Sequence, residues 1–150
     1  MVDEALEAVG NADPEVVAQG IRLAASFFEH SHGQTQGLDR EEVLAEPASP
    51  PDLARLRERL VDLVRAVAPA PLTGAAVFAL GKAYDPSLTP FFIEVLRNHL
   101  HADAGVLYQA MIALDNLGVA VFAGRDSMSV LAEDENRALA ADFLRQCEGD

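Results

Sequence analysis

Apolar residues recur along most of this chain at intervals of three and four, the period of a helix with one buried face. Leu6 and Val9 mark a short helix over 3–10. Asp13-Pro14 reads as an N-cap followed by proline at the first helical position, where a missing N–H costs nothing. Val17, Ile21, Ala24, Ala25 and Phe28 then carry a second helix to about residues 28–30. The stretch SHGQTQGLDREEVLAEPASPP over 31–51 breaks the period and forms an irregular loop. Asp39 and Glu42 stand at capping-box spacing ahead of Val43 and Leu44, which places one helical turn inside it.

Ser49-Pro50-Pro51 restarts the chain as a helix to about Val67, with an apolar stripe of Leu53, Leu56, Leu60, Leu63, Val64 and Val67. Its other side, with Arg55, Arg57, Glu58, Arg59, Asp62 and Arg65, is a solvated face with helical ion pairs. APAP at 68–71 ends that helix. Beyond it the pattern repeats. Ala76, Ala79, Leu80 and Ala83 fall on Ala110, Ala113, Leu114 and Leu117 when the sequence is displaced by 34 residues. Asp13, Val16 and Gly20 give a weaker copy of Asp103, Val106 and Ala110. Small residues at these positions let a neighbouring helix come close, so Gly20, Ala76 and Ala110 are expected at helix–helix contacts. Leu80-Gly81 is expected to close one helix and Asp85-Pro86-Ser87 to make a turn. Ser87 or Thr89-Pro90 then caps the next helix, which buries Phe91, Phe92, Val95, Leu96 and Leu100. Asp103 caps the unit after it. Antiparallel pairs follow at about 72–84 with 87–101, and 103–118 with 133–147. A period of this size belongs to stacked helical hairpins, none of which buries its own apolar face.

The run AAVFALGKAYDPSLTPFFIEVLRNHLHADAGVLYQAMIALDNLG resembles HEAT repeats, in particular the short HEAT-like type also found in phycobilin lyases. The matching features are A-x-x-A-L-G, then D-P, an apolar second helix, and D-x-x-V-x-x-x-A-x-x-A-L-x-x-L-G. They cover 72–118 well and 13–28 loosely. The resemblance implies an all-α fold of stacked antiparallel hairpins, as a short α-solenoid or compact bundle. It implies one domain over 1–150, with the loop at about 31–51 and a non-repeat tail after 118.

Charge changes the picture next. Acids exceed bases by 24 to 11, a net −13, with the excess concentrated in the first and last thirds. Such a chain repels phosphate backbones, because nucleic-acid affinity rests on Lys and Arg displacing counterions. A basic protein, by contrast, is steered toward it; acidity also serves solubility. No apolar run reaches the length of a membrane span. The start MVDEALEAVG has acids where a signal peptide has bases, and the single Cys147 has no partner for an internal disulfide. A cytoplasmic protein is expected, with neither nucleic acid nor membrane as partner.

Catalytic patterns are few. The chain has no Gly-rich phosphate loop, no H-E-x-x-H, no cysteine pair and no G-x-S-x-G. His30 and His32 stand two apart, as do His99 and His101, the wrong spacing for ligands on one helical face. Each pair lies at a helix end, where histidine meets the last carbonyls favourably. No metal and no cofactor are expected.

The segment VAVFAGRDSMSVLAEDENRALAADFL is the least regular part. Val119–Phe122 is apolar, Gly124 breaks the run, and Arg125, Asp126, Ser127 and Ser129 form a polar loop. Glu133, Asp134 and Glu135 open a helix with Leu139, Phe143 and Leu144 inward, and acids there complement its dipole. The loop has no such structural reason. It is the expected partner-binding element, because loops on rigid scaffolds often carry function. Tyr84 and Asp85 in the turn, and Asp115 and Asn116 at a helix end, are expected to share that surface. Asp126 is expected to make a buried charge contact, and the other acids to steer.

In size, charge and helical fold the chain is also similar to bacterial immunity proteins, which bind and block a cognate toxin that is often a basic nuclease. That similarity implies a non-catalytic binder of a basic protein. The alternative that the HEAT-like resemblance implies is a lyase or chaperone acting on a bilin or other small ligand. A HEAT-like DNA glycosylase conflicts with the charge.

Overall fold

The computed structural model describes residues 2–31, 49–66, 68–124 and 129–149. The turn expected around Asp39, Glu42, Val43 and Leu44 lies outside the described residues, as does Val67. Among the described residues every regular element is helical: α1 (Val2–Val9), α2 (Pro14–Ser31), α3 (Pro50–Arg65), α4 (Ala70–Gly81), a 3-10 turn (Pro86–Leu88), α5 (Thr89–His99), α6 (Ala104–Asn116) and α7 (Glu133–Gly149). The protein is all-α, built from helical hairpins. None of the described helices is long and apolar enough to cross a membrane.

Backbone contacts divide the chain into two compact units, Met1–Ala83 and Tyr84–Asp150. In the first, α1 and α2 form a hairpin, and α4 packs on α2 and α3. Asp13 begins α2 as its composition predicts, its carboxylate accepting the Glu15 N–H at 3.0 Å. Ser49 begins α3 in the same way, accepting from the Asp52 N–H at 3.3 Å. Ile21, Phe27, Phe28, Leu56, Leu60 and Leu80 are among the large side chains fully buried there. Gly20 stands at a close helix–helix contact, as expected. A Cβ on Gly20 would lie 2.8 Å from the Ala8 Cβ and 2.9 Å from the Val9 backbone N, so α1 and α2 meet backbone to backbone. Ala76 is fully buried.

The end of α4 differs from the expectation that Leu80-Gly81 closes it through glycine's freedom. Gly81 is buried inside the helix, and the left-handed residue is Tyr84, at φ 47°. The helix instead tightens into two short closures, from the Lys82 N–H to the Ala79 carbonyl and from the Ala83 N–H to the Leu80 carbonyl. Gly81 serves as a small buried residue, and the left-handed step falls to Tyr84, the residue before Asp85.

The second unit opens at Tyr84, so the pair expected over 72–84 and 87–101 divides between the two units. Neither Ser87 nor Thr89 caps α5. Asp85 caps the 3-10 turn, accepting from the Ser87 N–H at 3.0 Å and its hydroxyl at 2.8 Å. The turn runs straight into α5, so its carbonyls do the work a side-chain cap would do. Helices α5 and α6 form a hairpin on which α7 packs. Phe91, Phe92, Val95 and Leu96 are buried on α5, and Ala110, Met111 and Leu114 are buried on α6, which packs against it. Asp103 caps α6, accepting from the Val106 N–H at 2.9 Å. In α7, Asn136, Ala140 and Leu144 are buried, while Leu139 and Phe143 are half-buried.

Helix α6 ends in a Schellman motif. The Gly118 N–H reaches the Asp115 carbonyl at 2.9 Å, and the Val119 N–H reaches the Leu114 carbonyl at 3.0 Å. Gly118 is left-handed, at φ 79°, with open space where a Cβ would stand. Gly118→Ala should therefore cost only the backbone term, about 1–2 kcal/mol. An unchanged urea midpoint would show that the residue is not left-handed in solution.

Candidate protein-docking site

The least regular segment, 117–136, is built on two buried anchors. Val121 and Phe122 are each about 1 % exposed, and the Phe122 ring stands edge-on to Tyr108 at 6.5 Å between centroids. Ala123 and Gly124 follow in the left-handed region, at φ 55° and 79°. Arg125, Asp126 and Ser127 lie outside the described residues.

The chain resumes at Ser129, which organises the next turn. Its hydroxyl accepts from the Leu131 N–H at 3.1 Å. Its carbonyl accepts from the Ala132 N–H at 3.0 Å and from the Asn136 Nδ2 at 3.0 Å. Asn136 is 2 % exposed, so this staple ties the turn to the interior of α7. Asn136 Oδ1 has no hydrogen-bond partner among the described residues. The turn holds Leu131 away from the core, with 87 % of its surface exposed, and leaves Val130 41 % exposed. Water is a poor solvent for such a pair, and the polar bonds beneath hold it in place.

Glu133, Asp134 and Glu135 follow at once in the first turn of α7, all exposed. With Leu131 and Ala132 they line an open surface groove of about 380 Å³. The helix N-terminus favours their charge. Among the described residues, Arg137 Nη1 lies 3.9 Å from the Glu133 Oε2. Its main bonds go elsewhere, from Nε to the Leu100 carbonyl at 3.1 Å and from Nη2 to the Ala102 carbonyl at 3.3 Å. Arg137 thereby closes the C-terminal end of α5 and pins the start of α7 to it. Arg137→Ala should lower stability by about 1–2 kcal/mol, since charged hydrogen bonds to two carbonyls are lost at a half-buried site. Arg137→Lys should recover only part, because an ammonium lacks the planar fork. A thermal melt of both variants distinguishes this from a purely exposed charge, which would leave both unchanged.

Of the residues the sequence singles out, the structure gathers Ser129, Glu133, Asp134 and Glu135 into one element. Asp115 is exposed and Asn116 half-buried in the last turn of α6, two residues before Gly118. Tyr84 and Asp85, both half-buried, belong to the turn at 84–88, where the Asp85 carboxylate is engaged in capping. Leu131 and Val130 are the residues that spacing misses. Their signal is an apolar pair between a polar loop and three acids, outside any helical stripe.

Among the described residues the histidines belong to no group of metal-ligating side chains. His30 and His99 are half-buried, their Nδ1 atoms without a hydrogen-bond partner among the described residues; His101 is exposed, and His32 lies outside the described residues. Among the described residues no group of three or more His, Cys, Asp and Glu side chains is placed to hold a metal ion. Comparison of the chain with protein-family models, with curated proteins and with solved structures finds no match.

Proposed function

We propose that this chain is a non-catalytic protein-binding module that docks a basic protein through the turn at 129–135, in the manner of an immunity protein on its toxin. The observation that carries this reading is Leu131. It is 87 % exposed, on a turn tied down by Ser129 and Asn136, beside three exposed carboxylates. An apolar anchor within a polar rim is the arrangement that concentrates binding energy in protein interfaces. The net charge of −13 makes the complementary rim a basic one, and steers such a partner toward the chain.

The test is affinity capture from the source cells with the wild-type chain and with Leu131→Asp. A basic protein retained by the first and lost by the second supports the reading. Recovery of the same proteins by both baits would place binding elsewhere. A captured partner that is acidic would remove the role given to the carboxylates.

A further inference from the structure

Along α7 the buried positions run Asn136, Ala140 and Leu144, one every four residues, so the stripe that faces the core opens on an amide. Among the described residues Asn136 shares its degree of burial with one other polar side chain, Thr73. The two differ in how well they are satisfied. The Thr73 hydroxyl donates to the Ala68 carbonyl at 2.9 Å. Asn136 donates from Nδ2 to the Ser129 carbonyl at 3.0 Å, but its Oδ1, cut off from water, has no hydrogen-bond partner among the described residues. Reversing the amide would not help, because Oδ1 would then face the Ser129 carbonyl oxygen. A buried acceptor of this kind loses its hydration and gains no bond in exchange. The fold alone is better served at 136 by leucine, which has the same heavy-atom skeleton and needs no partner.

What asparagine supplies and leucine cannot is the bond to the Ser129 carbonyl. That carbonyl already has a second donor, the Ala132 N–H at 3.0 Å, so it does not need Asn136 in order to be satisfied. The amide bond instead fastens the turn to the body of α7. Leu131 is fastened with it, because its N–H is held at 3.1 Å by the Ser129 hydroxyl. We propose that Asn136 is a positioning residue for docking, present so that the turn offers Leu131 already in place. This rests on the reading of the turn at 129–135 as the docking site. A surface turn that a partner has to order loses conformational freedom on binding, and that loss is subtracted from affinity. Only the fraction of chains with the turn formed can bind, so a turn formed in the free chain binds more tightly. Asn136 is 2 % exposed and acts from beneath, through Ser129, while Leu131 makes the contact.

The test follows melting, amide exchange and binding in the full chain. Asn136→Leu should melt at or above the wild type, because an unpaired acceptor gives way to apolar surface. Asn136→Val takes its place where leucine overpacks the site. Amide exchange at Leu131 and Ala132 should nevertheless quicken by about tenfold or more, as the turn opens locally. Affinity for the basic protein captured by the wild-type chain should fall by about three- to tenfold. Ser129→Ala, at an exposed position where folding is not at risk, should bring the same loosening at Ala132 and the same loss of affinity. Ser129→Thr, which keeps the hydroxyl, should restore both. Melting below the wild type in both Asn136→Leu and Asn136→Val overturns the proposal, because the amide would then serve the fold. So does amide exchange that no variant alters, or a loosened turn that binds as tightly as the wild type. Leu131→Asp separates the two readings. A partner that ignores Leu131→Asp removes the docking site, whereas one that needs Leu131 and tolerates a loosened turn removes only the role given to Asn136.

Discussion

Gly20→Leu should destabilise the first unit by about 3 kcal/mol or more, at the upper end of what overpacking costs. Ordinarily a glycine in mid-helix is a liability of about 1 kcal/mol relative to alanine. Here even the first carbon of a side chain would stand 2.8 Å from the Ala8 Cβ, 2.9 Å from the Val9 N and 3.1 Å from the Ala5 carbonyl. Two of those neighbours are backbone atoms, so no rotamer change makes room and α1 itself must move. Moving it uncovers Val2, Ala5, Leu6 and Val9, the whole buried side of α1. Gly20→Ala supplies the sharper comparison, because propensity and packing oppose each other there. It should still lower the urea midpoint, with faster amide exchange confined to α1. A rise in the midpoint, as at an exposed helix position, would mean that α1 and α2 do not meet closely at this point.

That contact was legible in the sequence, and so were the caps at Asp13 and Asp103, though not the one expected at Ser87 or Thr89. Gly20, Ala76 and Ala110 stand at equivalent places in a degenerate repeat, and a small residue at such a place has one economical explanation. Asp13 and Asp103 are read correctly because a cap is a local bond, from a side chain to an N–H two or three residues on. Gly81 shows where such reading stops. Glycine permits a left-handed conformation but does not require one, and the burial of Gly81 took precedence while Tyr84 became the left-handed residue. In the candidate docking segment the acids were legible and Leu131 was not. Its exposure follows from the bonds of Ser129 to Leu131 and Asn136, which hydrophobic spacing does not register. Arg137 was still further from view, because the carbonyls it closes lie 37 and 35 residues away along the chain.

Leu131→Asp should weaken binding of the captured basic partner by about 2–4 kcal/mol, roughly 30- to 1000-fold, as truncating a central apolar anchor does. Folding should be almost untouched, because the side chain is 87 % exposed and contributes little to the core. The loss should appear mainly in the dissociation rate, where most differences between related complexes lie. Leu131→Met, which keeps size and apolarity, should retain most of the affinity. A Leu131→Asp variant that binds as the wild type does would remove the anchor from the account, whatever the acids do.

The acids divide from the anchor by their response to salt. Rim charges act on the association rate and its salt dependence, whereas an apolar contact is indifferent to moderate screening. The measurement that tests the docking surface most directly is therefore the association rate of the partner at about 0.05 M and about 0.5 M salt, for the wild type and for the triple variant Glu133→Gln, Asp134→Asn, Glu135→Gln. The wild type should slow by about tenfold or more across that range. The triple variant should start slower and change little. Identical salt dependence in the two proteins would contradict the account, because the charge that steers the partner would then lie away from the turn at 129–135.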